Sequence, residues 1–331
     1  MTGDPTAPTS GLVSCMRNEA PFLLEWVAYH STLGFDRIFV YTNACTDGTD
    51  LMLERLQQMG VVTHVHNPMT EGLGPQASAM QHFMSQDEVQ RLDWVLHIDA
   101  DEFLNVRLGQ GSIADLLVVA DTADVMALMW RPFGNNGLTR WTGGSVLETF
   151  TATQARPRAP NAQHKSLFRP SSFGAAIDHM PKEPLCKDVR LINSAGMACE
   201  PHALFARHQS RYRLPVEQLS WENAYINHYA VRSDDIFLMK NVRGDGMGRV
   251  SEKYFLNSNF YRRQNKNGGQ DTSILQHKDA LNARLSEFMA DPVLNFLHTQ
   301  SLEAFFRMRD RVLTPERIEE WTVAMAPVPP V

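Results

Sequence analysis

Asp99, Asp101 and Glu102 put three carboxylates within four positions, directly after the apolar run 94–98. That run, Trp-Val-Leu-His-Ile, reads as a short buried strand. Ligands of an open α/β sheet bind in the crevice beyond the carboxyl ends of its strands. Acidic groups gathered there repel one another unless a cation lies between them. Residues two apart in an extended segment project to the same side. Asp99 and Asp101 thus offer oxygen ligands suited to a hard divalent ion such as Mg²⁺ or Mn²⁺. Solvated turns and helix caps also carry Asp-x-Asp triplets, so the rest of the chain must decide.

The elements that would position this triplet alternate. Residues 12–16 predict a strand, followed by a helix that Pro21 opens and Gly34 closes. Residues 37–42 predict a second strand, 51–59 a helix ended by Gly60, 61–65 a third strand and 76–85 another helix. Strand–helix alternation of this kind implies a parallel sheet with helices on its faces. Beyond the triplet, 112–120 predicts a short helix, 125–130 a strand, 146–152 an edge strand and 165–169 a short strand. Residues 182–220 show little periodicity and read as an irregular excursion or mobile lid. A strand over 225–231 returns to the sheet, and a helix runs from Ser233 through Lys240 and Arg243 to Gly244. The expected organisation is a disordered leader (1–10), one catalytic domain (11–250) and a mainly helical C-terminal extension (251–331).

The net charge of −6 over 331 residues excludes a global basic field for nucleic acid or anionic lipid. Cys15, Cys45, Cys186 and Cys199 are scattered without a CxxC pair, as expected of reduced thiols in a cytosolic protein. No secretory pattern opens the chain, and no apolar run approaches the roughly 20 residues a bilayer requires. The expectation is a soluble, cytoplasmic protein with no transmembrane segment, for which peripheral membrane contact stays open.

Several segments together resemble a known family. Cys15-Met-Arg-Asn18-Glu19, Glu25-Trp26 with His30, Gly34-Phe35, and Tyr41-Thr-Asn43 with Asp47-Gly-Thr49 are similar to the opening of family 2-like glycosyltransferases of the GT-A fold. The branch related to glycosyltransferase family 92 matches best. His97-Ile-Asp99-Ala-Asp101-Glu102-Phe103 resembles its metal-binding DxD element, and Trp130-Arg-Pro-Phe133-Gly134-Asn-Asn-Gly137 its Phe-Gly-x-x-Gly loop. Lys165-Ser-Leu-Phe-Arg169-Pro170 resembles a further block. Asn227-His228-Tyr229, Arg232-Ser233, Phe237, Lys240 and Arg243-Gly244 resemble its C-terminal signature. The likeness covers about residues 11–245 and leaves the tail uncovered. One departure is Asp234-Asp235-Ile236-Phe237, where relatives often place a carboxylate and an aromatic.

The resemblance implies a Rossmann-like, mixed but mainly parallel sheet and a metal-dependent transfer of a sugar from a nucleotide diphosphate to a saccharide or other hydroxyl acceptor, with inversion. Mn²⁺ or Mg²⁺ is the implied cofactor and UDP-sugar the implied donor. Asp101 becomes the direct metal ligand, with Asp99 on the ribose or a metal-bound water. His228 is either a buried strand histidine or, by the resemblance, a metal or diphosphate ligand. Lys240 and Arg243 share a helical face, as solvated charge or as a diphosphate clamp. Asn18, Glu19, Asn43 and Asp47 lie where base and ribose would rest, although helix capping alone explains Asp47 and Asn18. Gln76 approaches the same pocket. Phe133, Gly134, Asn136 and Gly137 form a tight loop that would also admit a sugar, with Trp130 or Trp141 stacking on it.

An inverting enzyme needs one carboxylate to take the acceptor proton. Asp178, next to His179, is the first candidate, ahead of Glu222, Glu200 and Asp234; His179 would orient the acceptor or that carboxylate. Two other enzyme classes fit poorly. An aspartyl phosphatase wants its Asp-x-Asp on the first strand, and a dinucleotide oxidoreductase wants Gly-x-Gly-x-x-Gly there. The non-enzymatic alternative is a nucleotide-sugar or glycan-binding module on the same fold.

Overall fold

The computed structural model describes residues 8–159, 162–243 and 252–324. The first part alternates as β1 (Ser10–Met16), α1 (Ala20–Thr32), β2 (Arg37–Thr42), α2 (Thr49–Gln58), β3 (Thr63–His66), α3 (Pro75–Met84), α4 (Asp87–Gln90) and β4 (Trp94–His97). β1 pairs parallel with β2 and β4, and β2 parallel with β3. The chain winds outward from β1 to β3, then crosses back to lay β4 on the other side of β1. Winding therefore reverses between β1 and β4, the place where an open α/β sheet leaves a crevice.

Next come β5 (Glu102–Val106), α5 (Ile113–Ala120), β6 (Val125–Pro132), α6 (Val146–Thr149), β7 (Ala152–Thr153), β8 (His164–Phe168), β9 (Phe173–Ala176), β10 (Pro181–Pro184), β11 (Leu191–Asn193), β12 (Ala198–Cys199), α7 (His202–Phe205), β13 (Ala224–His228) and α8 (Asp234–Arg243). β8 inserts antiparallel between β4 and β6, while β11 extends the sheet parallel to β6. β13 pairs with both β6 and β5, setting His228 beside Pro132 and Glu102. The result is a mixed, mainly parallel sheet flanked by helices, as the sequence predicts.

Two local expectations fail for physical reasons. Residues 146–149 form the helical turn α6 rather than an edge strand. The Glu25 carboxylate accepts the N–H groups of Val146 and Leu147, and Ser145 Oγ that of Glu148. Residues 182–220 are less irregular than expected, because β11 and β12 are real but too short to show a period.

The tail carries α9 (Asn259–Gln264), β14 (Gly269–Gln270), α10 (Lys278–Ala290), α11 (Pro292–Val312) and α12 (Pro315–Glu320). Leu281, Phe288 and Leu294 are buried in the same core as Leu23 and Trp26 of α1. α1 is thus covered on both sides, which explains why it is apolar almost all round. The leader's residues 1–7, the expected helix end at Gly244 and the Pro-rich end 325–331 lie outside the described residues. Among the described residues no helix is long and apolar enough to cross a membrane.

Candidate active site

β4 ends at His97, and the chain turns through Asp99 and Asp101 into β5. Glu102 holds the turn: its Oε2 accepts the Asp99 N–H at 2.9 Å, and its own N–H donates to the Asp99 carbonyl at 3.0 Å. Lys165 of β8, wholly buried, lies between these acids. Its Nζ donates to Asp99 Oδ2 at 3.0 Å and to the Asp178 carbonyl at 3.0 Å, and lies 3.5 Å from Glu102 Oε2. Burial disfavours the ammonium, but Asp99 and Glu102 outweigh it and hold the lysine protonated. The two acids respond to this cation in opposite directions. Burial raises Glu102 well above the usual carboxylate range, whereas Lys165 and then His97 overcome burial to lower Asp99. Gln76 Nε2, from the first turn of α3, donates to Asp99 Oδ1 at 3.0 Å.

Asp101 has different partners. Lys240 of α8 donates to its Oδ2 at 2.7 Å and to the Ala230 carbonyl at 2.7 Å. Burial opposes ionisation of Asp101, but Lys240 foremost keeps the carboxyl below its ordinary range. His228 Nε2 stands 3.7 Å from Asp101 Oδ1. Burial lowers this imidazole to about 4, so near neutral pH it faces the carboxylate as a neutral ring rather than an ion-pair partner. Its Nδ1 is buried without a hydrogen bond, and the ring leans on Trp130 at 4.0 Å between centroids. Arg232 is buried behind Asp101, its guanidinium 3.8 Å from the Phe22 ring centroid.

Asp99, Asp101, Gln76, His228 and Lys240 help to line a cavity of about 540 Å³ at the winding reversal. Of the residues predicted from sequence, Glu19, Asn43, Gln76, Asp99, Asp101, Trp130, Asp178, His179, His228 and Lys240 border it. Asp178 is fixed through its backbone, since its carbonyl also meets His97 Nδ1 at 2.8 Å. Its Oδ2 lies 3.4 Å from His179 Nε2.

Other predicted residues are placed elsewhere. Asn18 bonds Thr46, and Asp47 accepts the N–H groups of Ala20 and Thr49, so both close the β2–α2 turn. Phe133 is fully buried against Tyr229, and Gly134 packs so closely on the tail that a Cβ would lie 2.6 Å from the Lys266 carbonyl. Asn136 bonds Ala152 and Thr149, and Gly137 holds a positive φ in the same tight loop. None of these four borders the cavity, because the loop clasps the tail segment instead. Trp141 is likewise buried, under Phe22 and Phe306. Glu200 and Glu222 are exposed away from the cavity, and Asp234 is taken by Tyr261 and Asn135. The side chain of Arg243 lies outside the described residues.

Sequence reasoning missed Lys165 as a site residue, although a lysine inside a fully buried strand is itself a signal. It also missed Arg211, Lys253, Tyr254 and Arg263, which close the cavity from segments without motifs. Among the described residues, the set of three ligand groups within 4.8 Å of one another is Glu54, His64 and His66, on α2 and β3. Asp99, Asp101 and His228 do not draw that close in this structure.

The family model for glycosyltransferase family 92 matches residues 11–264. A glycosyltransferase family 92 protein of Oryza sativa subsp. japonica is 28% identical over 165 residues, covering 49% of this chain and 27% of the relative. One of Arabidopsis thaliana is 29% identical over 170 residues, covering 48% and 28%. The matched stretch thus spans little more than a quarter of these curated relatives. Among solved structures, glucosyl-3-phosphoglycerate synthase from Mycobacterium tuberculosis has 17% identity and a TM-score of 0.28, covering 37% of this chain and 44% of that one. S. aureus TarS has 12% identity and a TM-score of 0.35, covering 92% and 55%. Likenesses of this size assign neither donor nor acceptor.

Proposed function

The chain belongs to glycosyltransferase family 92, and from that premise we propose that its cavity transfers a sugar from a nucleotide diphosphate, UDP-sugar first, to a hydroxyl of a saccharide or similar acceptor. One observation carries the reading: Asp99, Asp101, His228, Lys240 and Asp178 border a single cavity on the GT-A-type sheet, where its winding reverses.

The cavity divides by chemistry. Glu19 and Asn43, beyond β1 and β2, together with Gln76 and Asp99, border the side that takes base and ribose. Lys240, in the cavity wall, meets the diphosphate as a point charge. Asp101 Oδ1 and His228 Nε2 stand 3.7 Å apart, an oxygen and nitrogen donor pair that would suit a divalent cation. Mn²⁺ or Mg²⁺ held there, with Asp99 beside it, would supply Lewis-acid neutralisation of the leaving diphosphate, in order of magnitude several kcal/mol. Trp130, His179 and Asp178 border the acceptor side. Asp178 takes the proton of the acceptor hydroxyl, whose oxygen forms the bond to the anomeric carbon as the bond to the nucleotide breaks, inverting the centre.

The test is UDP release from UDP-sugars in Mn²⁺, preceded by a thermal-shift screen of nucleotides with and without metal. Stabilisation by UDP in Mn²⁺, and slow UDP release abolished in Asp101→Ala, are the expected results. Stabilisation without turnover on any acceptor would leave a binding module, and no stabilisation by any nucleotide would end the proposal.

A further inference from the structure

We propose that Glu54, His64 and His66 form a second metal site, for zinc, that fastens the edge strand β3 to α2. The three side chains offer ligand atoms within 4.8 Å of one another, and none of them borders the cavity. His64 and His66 are two apart on β3, the last strand of the sheet, so they project to the same face. They stand in register beside Val40 and Thr42 of β2. Val40 is buried in the core that α2 covers with Met52 and Leu53, so this face of β3 looks toward α2, which carries Glu54. The rings of His64 and His66 meet at 4.7 Å between centroids.

The spacing matches zinc. Glu54 Oε1 and His66 Nε2 are 3.3 Å apart. Ligands held 2.0–2.1 Å from a tetrahedral zinc ion stand about 3.3 Å from one another, so an ion fits between these two atoms without moving either backbone. His64 offers the third ligand. Its Nε2 lies 2.8 Å from Thr42 Oγ1 in a buried contact. With the ring proton donated there, Nδ1 keeps its lone pair for a metal. A hydrogen bond on the second nitrogen is how ligating histidines are held to one tautomer. Two imidazoles and one carboxylate form a borderline donor set that favours zinc over the oxygen-seeking Mg²⁺ of a sugar-nucleotide site. With three protein ligands the fourth position is left to water. Thr42 precedes Asn43, which borders the cavity, so the clasp would steady the β2–α2 turn on the nucleotide side.

The experiment is calorimetric titration of Zn²⁺ into the chelator-stripped full chain, with Tm followed in parallel and Mg²⁺ as the control. With the cavity's own cation site removed by Asp101→Asn, one equivalent should bind and raise Tm, and a saturating nucleotide should not displace it. His66→Ala removes an exposed ligand and should weaken zinc binding by at least about tenfold, as should Glu54→Gln; Thr42→Val, which deletes the acceptor for His64, should weaken it by about tenfold. The Asp101→Asn variant should bind zinc at this site unchanged, which separates failure here from failure of the catalytic reading. Zinc affinity equal in the wild type, His66→Ala and Glu54→Gln, or no zinc-dependent shift in Tm, would overturn the proposal.

Discussion

Lys165 Nζ bonds Asp99 Oδ2 at 3.0 Å while its side chain is wholly buried, so the first acid of the triplet is charged before any ligand arrives. Glu102 at 3.5 Å shares the same cation, while burial pushes its own carboxyl well above the usual range. The turn beyond β4 is thereby fixed by the protein's own charges, and Asp101 alone is left to face His228.

Replacing Lys165 with Met leaves Asp99, half-buried at the cavity edge, without its counter-charge. Breaking a fully buried pair from one side costs about 3–5 kcal/mol, and the solvent that reaches Asp99 brings the expected loss to about 2–3 kcal/mol. Urea unfolding should show that loss, whereas an exposed pair such as Arg37–Glu88 should lose no more than about 1 kcal/mol on the same treatment.

Asp101→Asn keeps the shape of the side chain and its contact with Lys240 but removes the charge. Metal-dependent nucleotide binding should fall by about a hundredfold or more, since several kcal/mol of cation binding depend on that charge. Metal-independent UDP binding, measured in chelator, should change far less. Equal losses in both conditions would argue that Asp101 only positions Lys240.

Asp178→Asn should lower kcat by about 10²–10⁴ with little change in KM for the donor, the range expected for a lost general base. The main-chain bonds of Asp178 to Lys165 and His97 survive the substitution, so folding should not suffer. Glu222→Gln, away from the cavity, serves as the control. A fall in kcat for Glu222→Gln matching that of Asp178→Asn would reassign the base.

The sequence displayed the alternation of the first four strands and the acids at the end of β4, because both are local patterns. It could not display Lys165, whose partners are chosen when β8 inserts between β4 and β6. Nor could it show that α6 is helical, since its cap comes from Glu25 on α1. The loop at Phe133–Gly137 looked like a sugar platform from its small residues. Its glycine is instead required by the close approach of residues 266 and 267, a segment beyond the family's motifs. Local chemistry was legible, and long-range pairing was not.

Arg309 of α11 ties the tail to the site's scaffold. Its Nη1 donates to Asp235 Oδ2 at 2.9 Å and to the Trp141 carbonyl, all in buried surroundings, and Asp235 opens the helix that carries Lys240. Arg309→Met should destabilise the fold by about 3–5 kcal/mol. Adding Asp235→Asn should recover part of that loss, because the stranded charge is gone. No recovery would mean that Arg309 acts through packing on Phe306 instead.

His30 sets a pH dependence that is independent of the cavity. Burial lowers its pKa to about 3, and its Nδ1 meets the Trp26 carbonyl at 2.8 Å while Nε2 accepts from Leu104 N–H at 3.4 Å. In the unfolded chain the ring titrates near its ordinary value of about 6.5. Between those values the unfolded state binds a proton that the folded state refuses, so stability falls as pH drops from about 6.5 toward 3, by up to about 1.4 kcal/mol per pH unit. Above 6.5 the effect vanishes. His30→Gln removes the titration while keeping a polar side chain. It should be the less stable protein at pH 7.5, and its deficit relative to wild type should shrink steadily from pH 6 to pH 4.5 in urea unfolding. A deficit constant over that interval would mean that His30 is protonated in the folded protein and its buried environment is not as described.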